Sequence, residues 1–385
     1  MAQTAYLLIM KLLVPKETRP GERRVAITPD VVSKMKQAGL DVNVETHAGM
    51  SAGFDDSSYE KSGATVVSNV DFATADVLLT VTPPTPEQLG KMKRGAITIS
   101  FLPLNSSQTS IDAAVSAGIT SFSLELIPRI SRAQSMDALT SQALCAGYRA
   151  VLVGAELSPR FFPLLMTAAG TVTPAQVLVL GAGVAGLQAI ATARRLGAVV
   201  SAYDVRSSSA DEVRSMGASF IDLELEALEG SGGYAREMGE DRAQRQRELL
   251  TPYVANSDVV ITTAAVPGRA APRLITQEMM LGMKEGSVVV DLASESGGNV
   301  EGSKPGEVVT TAQGVRIWGG KDVASQLPYH ASQLYSRNIL NLLQLMTKDG
   351  VVTPDFEDEI VDASAVTHAG VQRLPKPTST AGGAA

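Results

Sequence analysis

An α/β protein of two domains, each with a parallel doubly wound sheet and joined by long helices, is predicted by three features of this sequence. Short apolar runs alternate with helical patterns through both halves, and strand–helix–strand spacing favours parallel sheets with helical crossovers. The 385 residues exceed one ordinary domain. A composition of 44% hydrophobic and 19% charged residues belongs to a folded globular chain.

The run at 7–14 (LLIMKLLV) reads as a buried first strand. Lys11 interrupts it, no cleavage-type flank accompanies it, and it falls far short of the roughly 20 apolar residues that cross a bilayer. The turn-rich Pro15–Glu22 follows, then a helical pattern over Pro29–Ala38 closed by Gly39, then alternating valines over Asp41–Glu45. Ala75–Thr82, Ala96–Phe101 and Ile119–Leu124 add strands bounded by Pro83, Pro84, Gly95 and Pro103. Gln142–Pro163 reads as a long linker helix with a stripe of small apolar residues. Gln176–Leu180 opens a second array that continues through Ala198–Tyr203, Val259–Thr263 and Ser287–Leu292. Ser332–Met346 reads as an amphipathic helix returning to the first domain. The expected domains are 1–138 with 330–377, and 139–329; the tail 378–385 (TSTAGGAA) is expected to be disordered.

Charge and cysteine usage narrow the function. Lys and Arg number 33 against 40 Asp and Glu, a net charge of −7, so a phosphate-backbone binder is disfavoured and no nucleic-acid partner is expected. Cys145 alone makes no internal disulfide, and with three histidines it leaves too few soft ligands for a structural metal site. No metal is expected, and a reducing compartment fits.

The sharpest local pattern is an apolar strand running into G-x-G-x-x-G at Gly181, Gly183 and Gly186, which opens an alanine-rich helix ending at Gly197. Gly181 permits the tight turn, Gly183 lets backbone approach a pyrophosphate, and Gly186 lets helix and strand come close. The diphosphate would sit on the free N–H groups of the helix start, including Val184. A second strand ends at Asp204, 23 residues after Gly181, where a carboxylate can accept from adenosine ribose hydroxyls and repel a 2′-phosphate. NAD(H) is therefore expected over NADP(H), in a Rossmann-like domain. Val205 and Arg206 follow at the same site, with Arg206 read as a solvated loop arginine.

Dehydrogenation of an alcohol or amine moves a proton as well as a hydride and needs an acid or base. Transfer between two nicotinamide rings does not. His47, His330 and His368 are isolated in sequence and read as structural or surface residues. The stretch Glu125–Gln142 gathers Arg129, Arg132, Gln134, Asp137 and several hydroxyls. It is open between a polar loop with a capped helix start and a cluster that holds a nicotinamide carboxamide and ribose.

These residues also carry a resemblance. PKE at 15–17, GERRVAITP at 21–29, PRISRAQSMD at 128–137, GYRAV at 147–151, MTAAGT at 166–171, the glycine fingerprint and GGYAREMG at 232–239 are similar to the alanine dehydrogenase/transhydrogenase superfamily. PRISRAQSMD and GGYAREMG resemble, within it, the NAD(H)-binding component of proton-translocating transhydrogenases. The resemblance implies that Arg129 and Asp137 fix the nicotinamide and its carboxamide, and that Gln134 reaches toward the other nucleotide. It implies that Thr140, where relatives have serine, keeps a hydroxyl there, and that Tyr234 belongs to a mobile loop closing over the cofactor. It further implies an NADP(H)-binding partner component, a membrane-spanning proton-translocating component, a homodimer, and a peripheral position on the inner face of the cell membrane. In alanine dehydrogenases the substrate lysine and the acid/base histidine lie in segments that here read Thr80, Thr82 and Pro103, and an aspartate appears as Glu295. Amino-acid oxidation, and a non-catalytic NAD-sensing module, are the alternative functions.

Overall fold

The computed structural model describes residues 10–225, 239–265 and 269–373, so the expected tail at 378–385 lies outside it. The chain divides into two units, Met1–Gln142 with Leu327–Ala385, and Ala143–Gln326.

In the first unit the chain order is β1 (Lys11–Val14), α1 (Pro29–Gln37), β2 (Asp41–Glu45), α2 (Asp56–Lys61), β3 (Thr65–Val67), β4 (Val77–Leu79), α3 (Pro86–Lys91), β5 (Ile97–Ser100), α4 (Gln108–Ala117) and β6 (Thr120–Ser123). A 3-10 turn at Ser131–Met136 leads into α5 (Ala138–Leu157), which crosses the unit boundary. The six strands are parallel in the order β3-β2-β1-β4-β5-β6, with Leu12 opposite both Val42 and Val77. Alternation puts Leu12, Val14, Val77 and Leu79 in one core and Leu13 and Leu78 in the core on the opposite face. Both faces are covered, as parallel sheets require.

The second unit contains β7 (Leu165–Thr167), β8 (Gly170–Val172), β9 (Gln176–Leu180), α6 (Val184–Arg195), β10 (Val199–Tyr203), α7 (Ser209–Ser215), β11 (Ser219–Phe220), α8 (Glu240–Asn256), β12 (Val259–Thr262), α9 (Gln277–Leu281), β13 (Val288–Asp291), β14 (Val308–Thr310) and β15 (Arg316–Gly319). Its sheet runs β11-β10-β9-β12-β13-β15-β14. Val177 and Val179 enter one core and Leu178 and Leu180 the other. The chain then re-enters the first unit through α10 (Pro328–Met346), β16 (Thr347–Lys348), β17 (Val351–Val352), α11 (Glu359–Ser364), β18 (Ala365–His368) and β19 (Val371–Gln372).

Three details differ from the sequence expectations. The long helix spans Ala138–Leu157, not Gln142–Pro163. Asp137 caps it four residues earlier, and Ser158-Pro159 stops it because a residue before proline avoids helical geometry. The first strand begins at Lys11, and 7–9 lie outside the described residues. Neither sheet is wholly parallel. β14 pairs antiparallel with β15, and β18 and β19 extend the first sheet antiparallel beyond β6. Only residues 311–315 separate β14 from β15, too few for a crossover. Ala369 and Gly370 both take positive φ, 49° and 82°, as a two-residue hairpin turn between β18 and β19 demands.

Candidate functional site

In the second unit the strand-to-helix turn forms as its glycines dictate. Gly181 has φ 101°, and a Cβ there would lie 2.6 Å from Thr263 Oγ1, whose hydroxyl donates to Gly181 O at 3.0 Å. A Cβ on Gly186 would sit 1.8 Å from Gly181 O, so helix and turn touch only because both residues are glycine. At Gly183 a Cβ would meet nothing within 4 Å. That residue is the N-cap of α6 and supplies no side chain to it, and the first helical bond runs from Leu187 N–H to Gly183 O at 2.8 Å. The N–H groups of Val184, Ala185 and Gly186 precede that bond, facing the open space at Gly183 with the positive end of the helix dipole. This cradle fits a dinucleotide diphosphate.

Asp204 follows β10 at the adjoining strand end. Its Oδ2 accepts from Ala182 N–H at 2.7 Å, tying it to the glycine turn. Arg206 corrects the expectation of a solvated loop arginine. Its guanidinium grips Asp204 with both arms, Nε to Oδ1 at 2.9 Å and Nη2 to Oδ2 at 3.0 Å, and its side chain is only 17% exposed. The two-residue spacing lets the Arg206 N–H donate to Oδ1 as well, at 2.9 Å. Any hydroxyl arriving at Asp204 therefore competes with Arg206. Val205 is half-buried against the core that holds Leu178 and Leu180. Tyr234 and its flanking glycines lie outside the described residues.

In the first unit, Arg129 and Gln134 are exposed, whereas Ala133 and Met136 of the same segment are buried. Asp137 meets both readings of this stretch. Its Oδ1 accepts from Thr140 N–H at 2.8 Å, the cap of α5, and its Oδ2 accepts from the Thr140 hydroxyl at 2.7 Å. Thr140 thus fixes the Asp137 carboxylate.

Sequence reasoning missed the residues around this segment. Glu22 is buried and accepts from Arg24 Nε and Nη2, both at 2.7 Å, and Arg24 Nη1 donates to Gln142 Oε1 at 2.8 Å. Asn338 and Asn341 of α10 both donate to Ser135 O. The partners are far apart in sequence and carry no motif. Glu17 donors are equally remote: the Val81 N–H reaches it at 2.5 Å, and the Thr82 hydroxyl also donates to it. Thr80 donates to Thr82 O at 2.7 Å, and Glu295 accepts from Asp322 N–H at 2.9 Å. His47 does have a carboxylate neighbour, Asp56, 3.5 Å away and nine residues on, but its side chain is 65% exposed. His368 meets Thr120 at 3.0 Å and His330 lies edge-on to Tyr329. Among the described residues no group of three or more His, Cys, Asp or Glu could hold a metal ion, and no helix is long and apolar enough to cross a membrane.

Two family models match: residues 13–146 match the alanine dehydrogenase/PNT N-terminal domain and 150–374 its C-terminal domain. The chain is 46% identical over 387 residues to an NAD(P) transhydrogenase subunit alpha chain of Rhodospirillum rubrum, covering 97% of this chain and 100% of that one. It is 33% identical to an alanine dehydrogenase of Mycobacterium tuberculosis over 77% of this chain and 76% of that one. Among solved structures, a transhydrogenase from Sinorhizobium meliloti superposes with a TM-score of 0.83 at 44% identity, covering 94% of this chain and 98% of that one. The chain belongs to the alanine dehydrogenase/PNT family.

Proposed function

We propose that this chain is the NAD(H)-binding alpha subunit of a proton-translocating transhydrogenase. It exchanges hydride with NADP(H) held on a partner component, and a membrane-spanning component couples that exchange to proton movement. One observation carries the reading: an open glycine turn built for a dinucleotide accompanies threonines and a proline where an amino-acid dehydrogenase places its lysine and histidine. The higher identity to the transhydrogenase subunit than to the alanine dehydrogenase, 46% against 33%, supports it.

When bound, the dinucleotide supplies the hydride-carrying nicotinamide, and ring-to-ring transfer moves no proton at that step. Gly181, Gly183, Val184 and Gly186 offer backbone to its diphosphate. Asp204, Val205 and Arg206 receive its adenosine end, and Tyr234 covers it. Arg129 and Asp137 orient the carboxamide, Thr140 holds Asp137, and Gln134 faces the second nucleotide. The chain works on the cytoplasmic face of the membrane through its partners, as a homodimer. The exposed Phe161, Leu164, Met166 and Val172, on and beside the β7–β8 hairpin, support the dimer, because so much apolar surface in one place marks an interface.

The test mixes the purified chain with an isolated NADP(H)-binding component and follows hydride passing from NADPH to an NAD analogue. Stimulated transfer is expected. Tight NADH binding without transfer would favour a sensing module, and NAD reduction by an amino acid with this chain alone would overturn the assignment.

A further inference from the structure

The geometry points to Asn338 and Asn341 of α10 as positioning residues that hold the Arg129–Asp137 segment in its hydride-transfer conformation, an inference that rests on the function proposed above.

The segment has little internal support. The 3-10 turn carries few bonds of its own, such as Ala133 N–H to Ile130 O at 3.0 Å and a longer one from Asp137 N–H to Gln134 O at 3.3 Å. Its exposed side chains, Gln134 among them, have no core to set their direction. Restraint comes instead from α10. Asn338 and Asn341, one helical turn apart on one face, both aim their amide N–H groups at Ser135 O, at 2.8 and 3.0 Å. Ser135 follows Gln134 directly, so its doubly held carbonyl fixes the backbone that carries Gln134.

Asn338 also works from the far side of Asp137. Its Oδ1 accepts from the Ser141 hydroxyl at 2.8 Å. One buried amide, only 6% exposed, thereby grips Ser135 before Asp137 and Ser141 after it. Ser141 is held in turn by Gln142 Nε2 at 3.1 Å, and Gln142 accepts from Arg24. A buried network whose members are satisfied on both sides is rigid, and losing one member leaves its partners desolvated without a bond. A second clamp backs it, from Arg132 to Asp358 at the start of α11, at 2.7 and 3.1 Å.

The experiment compares wild-type protein, Asn338→Leu and Asn341→Ala. It measures kcat for transfer from NADPH to an NAD analogue with the NADP(H)-binding component, NADH binding by titration, and amide exchange in the nucleotide-free chain. For Asn338→Leu, kcat is expected to fall about 10- to 100-fold, the cost of reacting groups misplaced by about an ångström, while KM for the nucleotides and NADH affinity stay put. Exchange is expected to rise in peptides covering 129–141 and not in β9 or β12. Asn341→Ala, which leaves Asn338 on the carbonyl, should show the same pattern more weakly in a chain whose fold is not at risk. Wild-type kcat and exchange in both variants would overturn the inference. So would a fall in NADH affinity equal to the fall in kcat, or exchange rising throughout the chain. If the wild-type protein transfers no hydride, the functional reading fails, and the exchange data alone decide the restraint.

Discussion

The two sheets share one strand order and use it differently. β3-β2-β1-β4-β5-β6 in the first unit and β11-β10-β9-β12-β13-β15 in the second place the first strand between the second and the fourth, where an α/β sheet opens a crevice at its strand ends. In the second unit the first strand turns into its helix within Gly181–Gly183, so a free helix end meets that crevice. In the first unit residues 15–28 intervene, and their side chains turn on one another and on the neighbouring strand: Glu17 takes Val81 and Thr82, and Glu22 takes Arg24. Topology supplies the crevice in both, and the length and side chains of the first connection decide whether backbone is left free for a ligand.

The largest expected effect breaks the glycine side of this contrast. Gly186→Val forces atoms into a space already 1.8 Å from Gly181 O, so NADH binding should vanish and the second unit should lose at least about 3 kcal/mol. Gly183→Ala should separate ligand approach from folding. Its Cβ meets nothing within 4 Å, so the melting temperature should hold while NADH binding weakens. Titration and thermal melting of both variants check this, and a Gly183→Ala protein that binds NADH normally would remove the cradle from its assigned role.

Next in size is the segment of the first unit. Asp137→Asn preserves a good helix cap, since asparagine caps as well as aspartate, and removes the charge. It should therefore leave stability nearly intact and slow hydride transfer on the order of 10²-fold, with a smaller loss in NADH binding. Arg129→Ala should behave alike. Equal losses in transfer and affinity would reduce the segment to a binding element.

The same contrast explains what the sequence made legible. The strands from Gln176 to Leu180 and from Asp41 to Glu45 were readable because apolar patterning and turn residues act locally. The glycine turn was readable because its chemistry is carried by missing side chains at fixed spacing. Asp349-Gly350 between β16 and β17, with φ 52° and 80°, announces a two-residue hairpin and could have been read. The Arg206–Asp204 pair could not, because the sequence alone does not say whether an arginine two residues on turns back or outward. The clamps on Ser135 join residues 203 and 206 positions apart, and only packing of α10 reveals them.

A moderate effect should come from Glu125, beside the segment. Burial pushes its pKa up to about 7, against a backbone bond from Leu102 that pulls the other way. The folded state thus keeps a proton that the unfolded chain releases near its ordinary value of 4.5. Between those values stability falls as pH rises, by at most about 3 kcal/mol. Glu125→Gln should remove this loss, so the variant gains stability over wild type on going from pH 5 to pH 8. Urea unfolding at the two pH values measures it, and a gap independent of pH would show that Glu125 does not titrate in this window.

The smallest expected effect concerns Arg206. Beside Asp204 it neutralises the carboxylate assigned to repel a 2′-phosphate, so the discrimination left to Asp204 is less than a bare carboxylate would give. Arg206→Ala removes the guanidinium but leaves Oδ2 with the Ala182 N–H at 2.7 Å and Oδ1 with the backbone N–H of position 206 at 2.9 Å, which keep the carboxylate ionised and aimed. Preference for NADH over NADPH should then rise about fivefold, about 1 kcal/mol, the scale of a screened charge interaction near a protein surface. Asp204→Ala should shift it the opposite way. The two affinities are read by competitive titration of each variant. A fall in preference with Arg206→Ala would mean that the arginine favours NADH by direct contact, and that its pairing with Asp204 gives way when nucleotide binds.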